Sequence, residues 1–317
     1  MKPSVFILFG PTGSGKTALL EKLFAQGYNG PCRSAEIISA DSMQVYRGMD
    51  IGTAKPSPEE RARIPCHLID IRNPDEQFNA GDFVRLATEA CLAVSGRGAL
   101  PVVSGGTGFY LKNFILGLSG APPSDREIRE KLKIELKERG AASLLEELVR
   151  LDPVSASRIH VNDEYRLLRA LEVCRLSGRP LSSFSSGTGD SGKFRFIVFG
   201  LRRERQELYN RINARTSAMF RAGLAEEVSR LFKAGYTPSD PGLRAIGYRE
   251  FFLKENGAWR LSGDLAGVEA LVAQNTRRYA KRQITFFSSI PAVKWFDCGE
   301  SLQAEIGRAL DHVLSFG

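Results

Sequence analysis

The chain has 317 residues, 43% hydrophobic and 25% charged, as expected of a soluble globular protein with one large or two unequal domains. Lysine plus arginine exceed aspartate plus glutamate by 44 to 36, and the net +8 suits a polyanionic partner but equally a merely basic enzyme. Five scattered cysteines without a C-x-x-C pair, and no apolar run near the ~20 residues of a membrane span, disfavour a disulfide framework, a zinc module and a membrane anchor; a cytoplasmic protein is expected.

Three residues after Met1 the chain enters VFILFG, too short and wrongly flanked for a signal peptide. The apolar run 5–9, the glycines after it and the helical pattern Ala18, Leu19, Leu20, Leu23, Phe24 read as strand, loop and helix. A second run, 36–39, ends at Ala40-Asp41-Ser42, and a third, 100–104, ends at Gly105-Gly106-Thr107-Gly108. Short buried strands alternating with helices predict a parallel α/β sheet, which binds ligands at the carboxyl ends of its strands. All three polar clusters fall there.

Near Ser119 the character changes. Residues 125–139 are highly charged with Ile128, Leu132 and Leu136 four apart, and further helix is predicted over 142–151 and 164–176. A Ser/Gly stretch, 182–193, is expected to be flexible, and the β-rich run 194–200 resumes the sheet. The expectation is a P-loop NTPase-like α/β core of residues 1–118 and 194–317 with an inserted all-helical domain, 119–193. A helical excursion packed on the same core is the alternative. From Arg202 onward the pattern reads as helical to the end.

Gly10-Pro11-Thr12-Gly13-Ser14-Gly15-Lys16-Thr17 matches G-x-x-x-x-G-K-[ST] completely. Its glycines let backbone N–H groups turn inward on an anion, Lys16 supplies a point charge to phosphate oxygens, and Thr17 offers a hydroxyl to Mg²⁺. The motif identifies a phosphate-bearing ligand and not a reaction, so a small-molecule kinase using ATP stays open. An ordinary NTPase would also carry a long apolar strand ending in an acid. Here 102–104 ends in serine and His67-Leu68-Ile69-Asp70 is short. The best acidic candidate, Asp41, sits in Ser39-Ala40-Asp41-Ser42-Met43-Gln44-Val45-Tyr46, richer in hydrogen-bonding groups than a metal site needs. That composition suits a place where a polar group is read and deprotonated.

Five separated segments together resemble the tRNA dimethylallyltransferases: GPTGSGKT, SADSMQVYRGMDIGTAKP, GGTGFYL, NDEYRLLRALEV, and AIGYRE followed by NTRRYAKRQITFF. The resemblance spans nearly the whole chain. It implies that the N6 amine of adenosine 37, beside the anticodon, attacks C1 of dimethylallyl diphosphate and that diphosphate leaves. It implies Asp41 as general base, Thr107 near the reacting centre or tRNA, and Arg215 assisting the diphosphate held by the P-loop and Mg²⁺. An aspartate is too weak to deprotonate a neutral aryl amine beforehand, so Asp41 would act late, after nitrogen has begun to bond to carbon.

The base must leave its stack, and Asp41, Ser42, Met43 and Gln44 would read it. Further tRNA contacts are implied for Arg129, for Tyr165, Arg166, Leu167, Leu168 and Arg169, and for Arg244, Ala245, Ile246, Gly247, Tyr248 and Arg249. Tyr165 stands where the family usually has glutamine, which alters any base-reading role. On a helix, Arg277, Arg278, Lys281 and Arg282 fall within about a 140° arc, a basic face suited to phosphates. Without Cys/His ligand pairs after the core, the chain resembles the shorter bacterial type, and a monomer is expected.

Overall fold

The computed structural model describes residues 2–25, 34–184 and 192–315. Cys32 and most of the predicted Ser/Gly stretch lie outside the described residues. The chain divides into two compact units, residues 1–115 with 193–317, and residues 116–192.

The larger unit is built on six parallel strands: β1 (Ser4–Phe9), β2 (Ala35–Ser39), β3 (Cys66–His67), β4 (Leu100–Gly105), β5 (Arg195–Arg202) and, later in the chain, β8 (Lys294–Asp297). Their order is β3-β2-β4-β1-β5-β8. Val5 to Phe9 are wholly buried, as are Val102 and Val103, because a parallel sheet is covered on both faces. Around it lie α1 (Lys16–Phe24), α2 (Pro58–Arg63), α3 (Ala80–Gly96), α4 (Gly108–Leu116), α8 (Arg205–Arg221), α9 (Leu224–Lys233), α10 (Leu265–Phe287) and α11 (Leu302–Ser315). Capping boxes start α2 at Ser57/Glu60 and α3 at Asn79/Asp82, satisfying end amides that no helical carbonyl reaches.

Register decides where the strands stop. Phe9 pairs with Gly105 and Ser39 with Ser104, so β1, β2 and β4 end level. A Cβ on Gly105 would lie 2.1 Å from the Ala40 carbonyl oxygen; only glycine permits that approach. The polar segments after the three strands therefore share one edge.

The expectation of helix to the end is corrected at two places. β8 adds a parallel strand beside β5, and β6 (Phe252–Glu255) pairs antiparallel with β7 (Ala258–Leu261). Four-residue strands are too short to show a period. The hairpin did carry a signal, Asn256-Gly257, whose positive φ values of 49° and 83° fit a tight hairpin turn. The strand sought at 67–70 stops after His67, since Leu68 and Asp70 both take positive φ.

One buried carboxylate organises the loop after Asp41. Glu227 on α9 is 1% exposed and accepts from the amides of Asp50 (3.0 Å), Ile51 (2.9 Å) and Gly52 (3.2 Å) and from the Tyr248 hydroxyl (2.7 Å). No cation pairs with it among the described residues, so neutral donors carry the whole compensation. Glu227→Ala would strand those donors. It is expected to cost ~3–5 kcal/mol of stability, seen as a lower urea midpoint at unchanged slope; a shift below about 1 kcal/mol would refute the reading.

The smaller unit is helical: α5 (Arg126–Leu151), broken at Gly140 where φ is 76° and ψ 161°, then α6 (Pro153–Ala156) and α7 (Glu164–Ser177). Leu132, Leu144, Leu148, Leu167, Leu168 and Leu171 form its core. The fully buried Glu172 accepts from Ser124 Oγ (2.6 Å), the Asp125 amide (2.8 Å), Arg129 (3.0 Å) and Arg169 (2.9 Å), which ties the start of α5 to α7. No described helix is long and apolar enough to cross a membrane.

Candidate active site

The P-loop joins β1 to α1, with Gly13 (φ 81°) and Gly15 (φ 96°) in the left-handed region that its inward turn requires. Two of its amides are already committed, Ser14 N–H to the Pro11 carbonyl (3.1 Å) and Thr12 N–H to Gln283 Oε1 (2.9 Å). The N–H groups of Gly13, Gly15, Lys16 and Thr17 make no hydrogen bond among the described residues. Free amides at a helix N-terminus form an anion cradle. Gly10 and Pro11 act differently: their carbonyls hold Lys16 Nζ at 2.8 and 3.0 Å.

The positive charge at this loop is not neutralised. Burial in the groove, then repulsion from Arg215, brings the Lys16 ammonium down to about 8, while Asp41 opposes the shift. Protein crowding also lowers the Arg215 guanidinium below its ordinary value, again against the pull of Asp41. Arg215, on α8, has no ion pair or hydrogen bond among the described residues. Two further arginines escaped the sequence reading: Arg211 donates to the Gly13 carbonyl (2.9 Å) and Arg203 to that of Ser14 (3.3 Å). The four-residue spacing of Arg211 and Arg215 was the available sign, since it places both on one helical face.

A cavity of about 860 Å³ opens over the P-loop, bounded by Lys16, Thr17, Asp41 to Gln44, Arg211, Arg215, Ala245 to Gly247, Tyr279 and Gln283. Asp41 Oδ1 accepts from the amides of Met43 (2.8 Å) and Gln44 (3.3 Å), and its second oxygen is unbonded among the described residues. Thr107 steadies the same turn, its Oγ1 accepting from the Ser42 amide (3.0 Å) and its N–H donating to the Ala40 carbonyl (3.1 Å). The Gln44 amide is spent within the chain, Oε1 on Ser39 Oγ (2.9 Å) and Nε2 on the carbonyls of Thr53 (3.4 Å) and Ala54 (3.2 Å). Adenine reading by Gln44 would first require one of these bonds to open.

Five residues expected to touch RNA are buried, and of these Ala245 and Gly247 line the cavity while the other three are interior. Tyr248 is wholly buried on Glu227, and Leu167 and Leu168 sit in the core of the helical unit. A motif shared by a family mixes contact residues with the core residues that hold them, and residue type alone does not separate the two. Their charged neighbours are at the surface. Arg244 donates to the Pro238 and Ser239 carbonyls, Arg249 pairs with Glu250, and Arg277 bonds Asn213. Arg278, Lys281 and Arg282 are exposed on α10 without ion pairs among the described residues. In the helical unit, Arg129 lies 4.7 Å over the exposed Tyr165 ring, Arg166 pairs with Asp163, and Arg169 with Glu172.

No group of three or more His, Cys, Asp or Glu among the described residues could hold a metal ion.

A family model described as IPP transferase matches residues 44–290. A Geobacter sulfurreducens protein named tRNA dimethylallyltransferase is 44% identical over 297 residues, 93% of this chain and 92% of its own. The crystal structure of a full-length tRNA isopentenylpyrophosphate transferase from Bacillus halodurans superposes with a TM-score of 0.66 at 34% identity, covering 100% of both chains. A eukaryotic dimethylallyltransferase shares the fold at a TM-score of 0.75 and 23% identity, over 98% of this chain and 78% of its own. With a P-loop cradle, an uncompensated Lys16 and Arg215, and Asp41 around one cavity, and with relatives matched over almost its full length, this chain belongs to the IPP transferase family, the tRNA dimethylallyltransferases.

Proposed function

We propose that the chain transfers the dimethylallyl group of dimethylallyl diphosphate to the N6 amine of adenosine 37 in the anticodon loop of tRNA, releasing diphosphate. As a member of its family it is a prenyltransferase acting on tRNA. The observation that carries the finer reading is the pairing, in one cavity, of uncompensated cations with a carboxylate that has an open oxygen.

In this reading N6 attacks C1 as the C1–O bond breaks, and diphosphate leaves with the bonding electrons. Gly13, Gly15, Lys16, Thr17 and Arg215 stabilise the charge that gathers on it. Nitrogen becomes positive as it bonds to carbon, and its proton passes to Asp41. Thr107 acts through the Ser42 amide to keep Asp41 in place. Mg²⁺ fits the residues present, because it retains several waters and takes phosphate oxygens with few protein ligands, and Thr17 offers its hydroxyl there. When bound, it would neutralise part of the diphosphate charge.

Arg244, Arg249, Arg277, Arg278, Lys281 and Arg282 on the core, and Arg129, Tyr165, Arg166 and Arg169 on the helical unit, supply tRNA contacts, mainly to phosphates. Every group invoked comes from one chain, so a monomer suffices, and a tRNA substrate suits the cytoplasm. Converting Arg278, Lys281 and Arg282 together to alanine is expected to weaken stem-loop binding and flatten its log K against log[salt] slope by about 2. Filter binding from low to moderate salt measures it, and an unchanged slope would remove this face from the interface.

The reaction itself is tested by incubating an anticodon stem-loop with dimethylallyl diphosphate and Mg²⁺, then analysing nucleoside masses. Adenosine carrying one dimethylallyl group is expected. Rapid ATP hydrolysis with no prenylated nucleoside would overturn the proposal.

A further inference from the structure

Gln283 lies on α10, 271 residues from Thr12, yet its side chain is 5% exposed at the floor of the cavity. Its two amide atoms are used in opposite directions. Oε1 accepts from the Thr12 N–H of the P-loop (2.9 Å), and Nε2 donates to the Gly106 carbonyl of the turn after β4 (2.7 Å). A Cβ on Gly106 would stand 2.5 Å from Nε2 and expel it, which accounts for glycine there. The next residue, Thr107, holds the Ser42 amide and so the turn that presents Asp41. One helical turn before Gln283, Tyr279 lines the same cavity.

One amide therefore spans the loop proposed to hold the donor and the turn proposed to hold the base. Only a group that accepts at one end and donates at the other satisfies both backbone partners; glutamine does so with no charge. We propose that Gln283 is a positioning residue that fixes the donor cradle and the Asp41–Thr107 turn at the separation that in-line transfer needs. The assignment rests on the prenyl transfer proposed above. Thr12 N–H, being held by Gln283, is not among the amides that receive the diphosphate.

Two variants test it. Gln283→Met fills the space but makes neither bond. Because misplacement by about 1 Å can cost ~10²-fold, its single-turnover rate at saturating substrates should fall by about that factor. Donor and stem-loop affinities should stay within a few-fold of wild type. Gln283→Glu keeps the shape, but as a carboxylate it faces the Gly106 carbonyl with no proton to donate. Protonated, it both accepts from Thr12 and donates to Gly106. Burial beside a carbonyl and the Asp41 carboxylate on the same cavity favour the protonated acid, against the pull of Lys16 and Arg215, so the protonated fraction grows as pH falls.

The ratio of the Glu variant's rate to the wild-type rate should therefore climb as pH falls from about 8 to about 6, while the Met variant's ratio stays flat. A purely structural role would move thermal stability but not this ratio. A Met variant at the wild-type rate, or a pH-independent ratio for the Glu variant, would overturn the proposal. If the Met variant fails to fold, the Glu ratio alone decides. Wild-type enzyme is assayed alongside: absence of its product would sink the prenyl-transfer reading, whereas active wild type beside an equally active Met variant sinks only the role of Gln283.

Discussion

Asp41→Asn is expected to slow single-turnover prenyl transfer by ~10²–10⁴-fold, the usual worth of a general base, with donor affinity near wild type. The substitution is unusually clean here. Asp41 Oδ1 accepts from the Met43 and Gln44 amides, and an asparagine carbonyl can accept from both, so the turn survives. What is lost is the negative charge and the open oxygen that would take the proton. Removing that charge also removes the pull that raises Lys16 and Arg215, so donor affinity is compared at pH 7, where Lys16 stays protonated more easily. tRNA affinity should change little, because phosphate contacts dominate it. Single-turnover transfer to a stem-loop, with donor affinity measured separately, reads the effect. A near-normal rate would take Asp41 out of the mechanism, and a lost donor affinity would make it a diphosphate or metal ligand instead.

Lys16→Ala should act on the other substrate. Losing a charge-assisted contact to phosphate is expected to weaken dimethylallyl diphosphate binding by ~10–100-fold. The rate should fall by a further ~10²–10³, since charge on the leaving group grows in the transition state. Stem-loop binding without donor should be unaffected. The free protein adds a pH signature. Lys16 is held at about 8 there, chiefly by burial. A bound diphosphate favours the ammonium and lifts that value.

Between the free and bound values, donor binding must therefore take up a proton. Affinity is then level below about pH 7.5 as far as Lys16 is concerned, and falls by up to about tenfold per pH unit above 8. Calorimetric titration in two buffers of different ionisation heat counts that proton. Wild-type affinity that stays constant from pH 8 to 9.5, or an alanine variant that keeps the alkaline loss, would refute the assignment.

The parts of this protein legible in its amino-acid order are those written in consecutive residues. The P-loop, the Asp41 stretch and the Gly105–Gly108 turn each follow a short apolar strand, and a parallel sheet necessarily gathers such strand ends at one edge. The helical segment within 119–193 was legible because Ile128, Leu132 and Leu136 repeat at helical spacing.

Tertiary structure alone decided what depends on distant partners or on burial. Arginine at 203 and 211 reads as solvated charge until β5 and α8 bring both to the P-loop carbonyls. Glu227 looks like an exposed helix acid until three amides 175 to 177 residues away close on it. Tyr248, Leu167 and Leu168 stand in motifs beside arginines, yet the core takes them: Leu167 and Leu168 pack among the leucines of α5, and Tyr248 closes on the buried Glu227. Gln283 is the extreme case. Its side chain is chemically indistinct in the sequence, and only the packing of α10 onto two loops gives its acceptor and its donor a partner each.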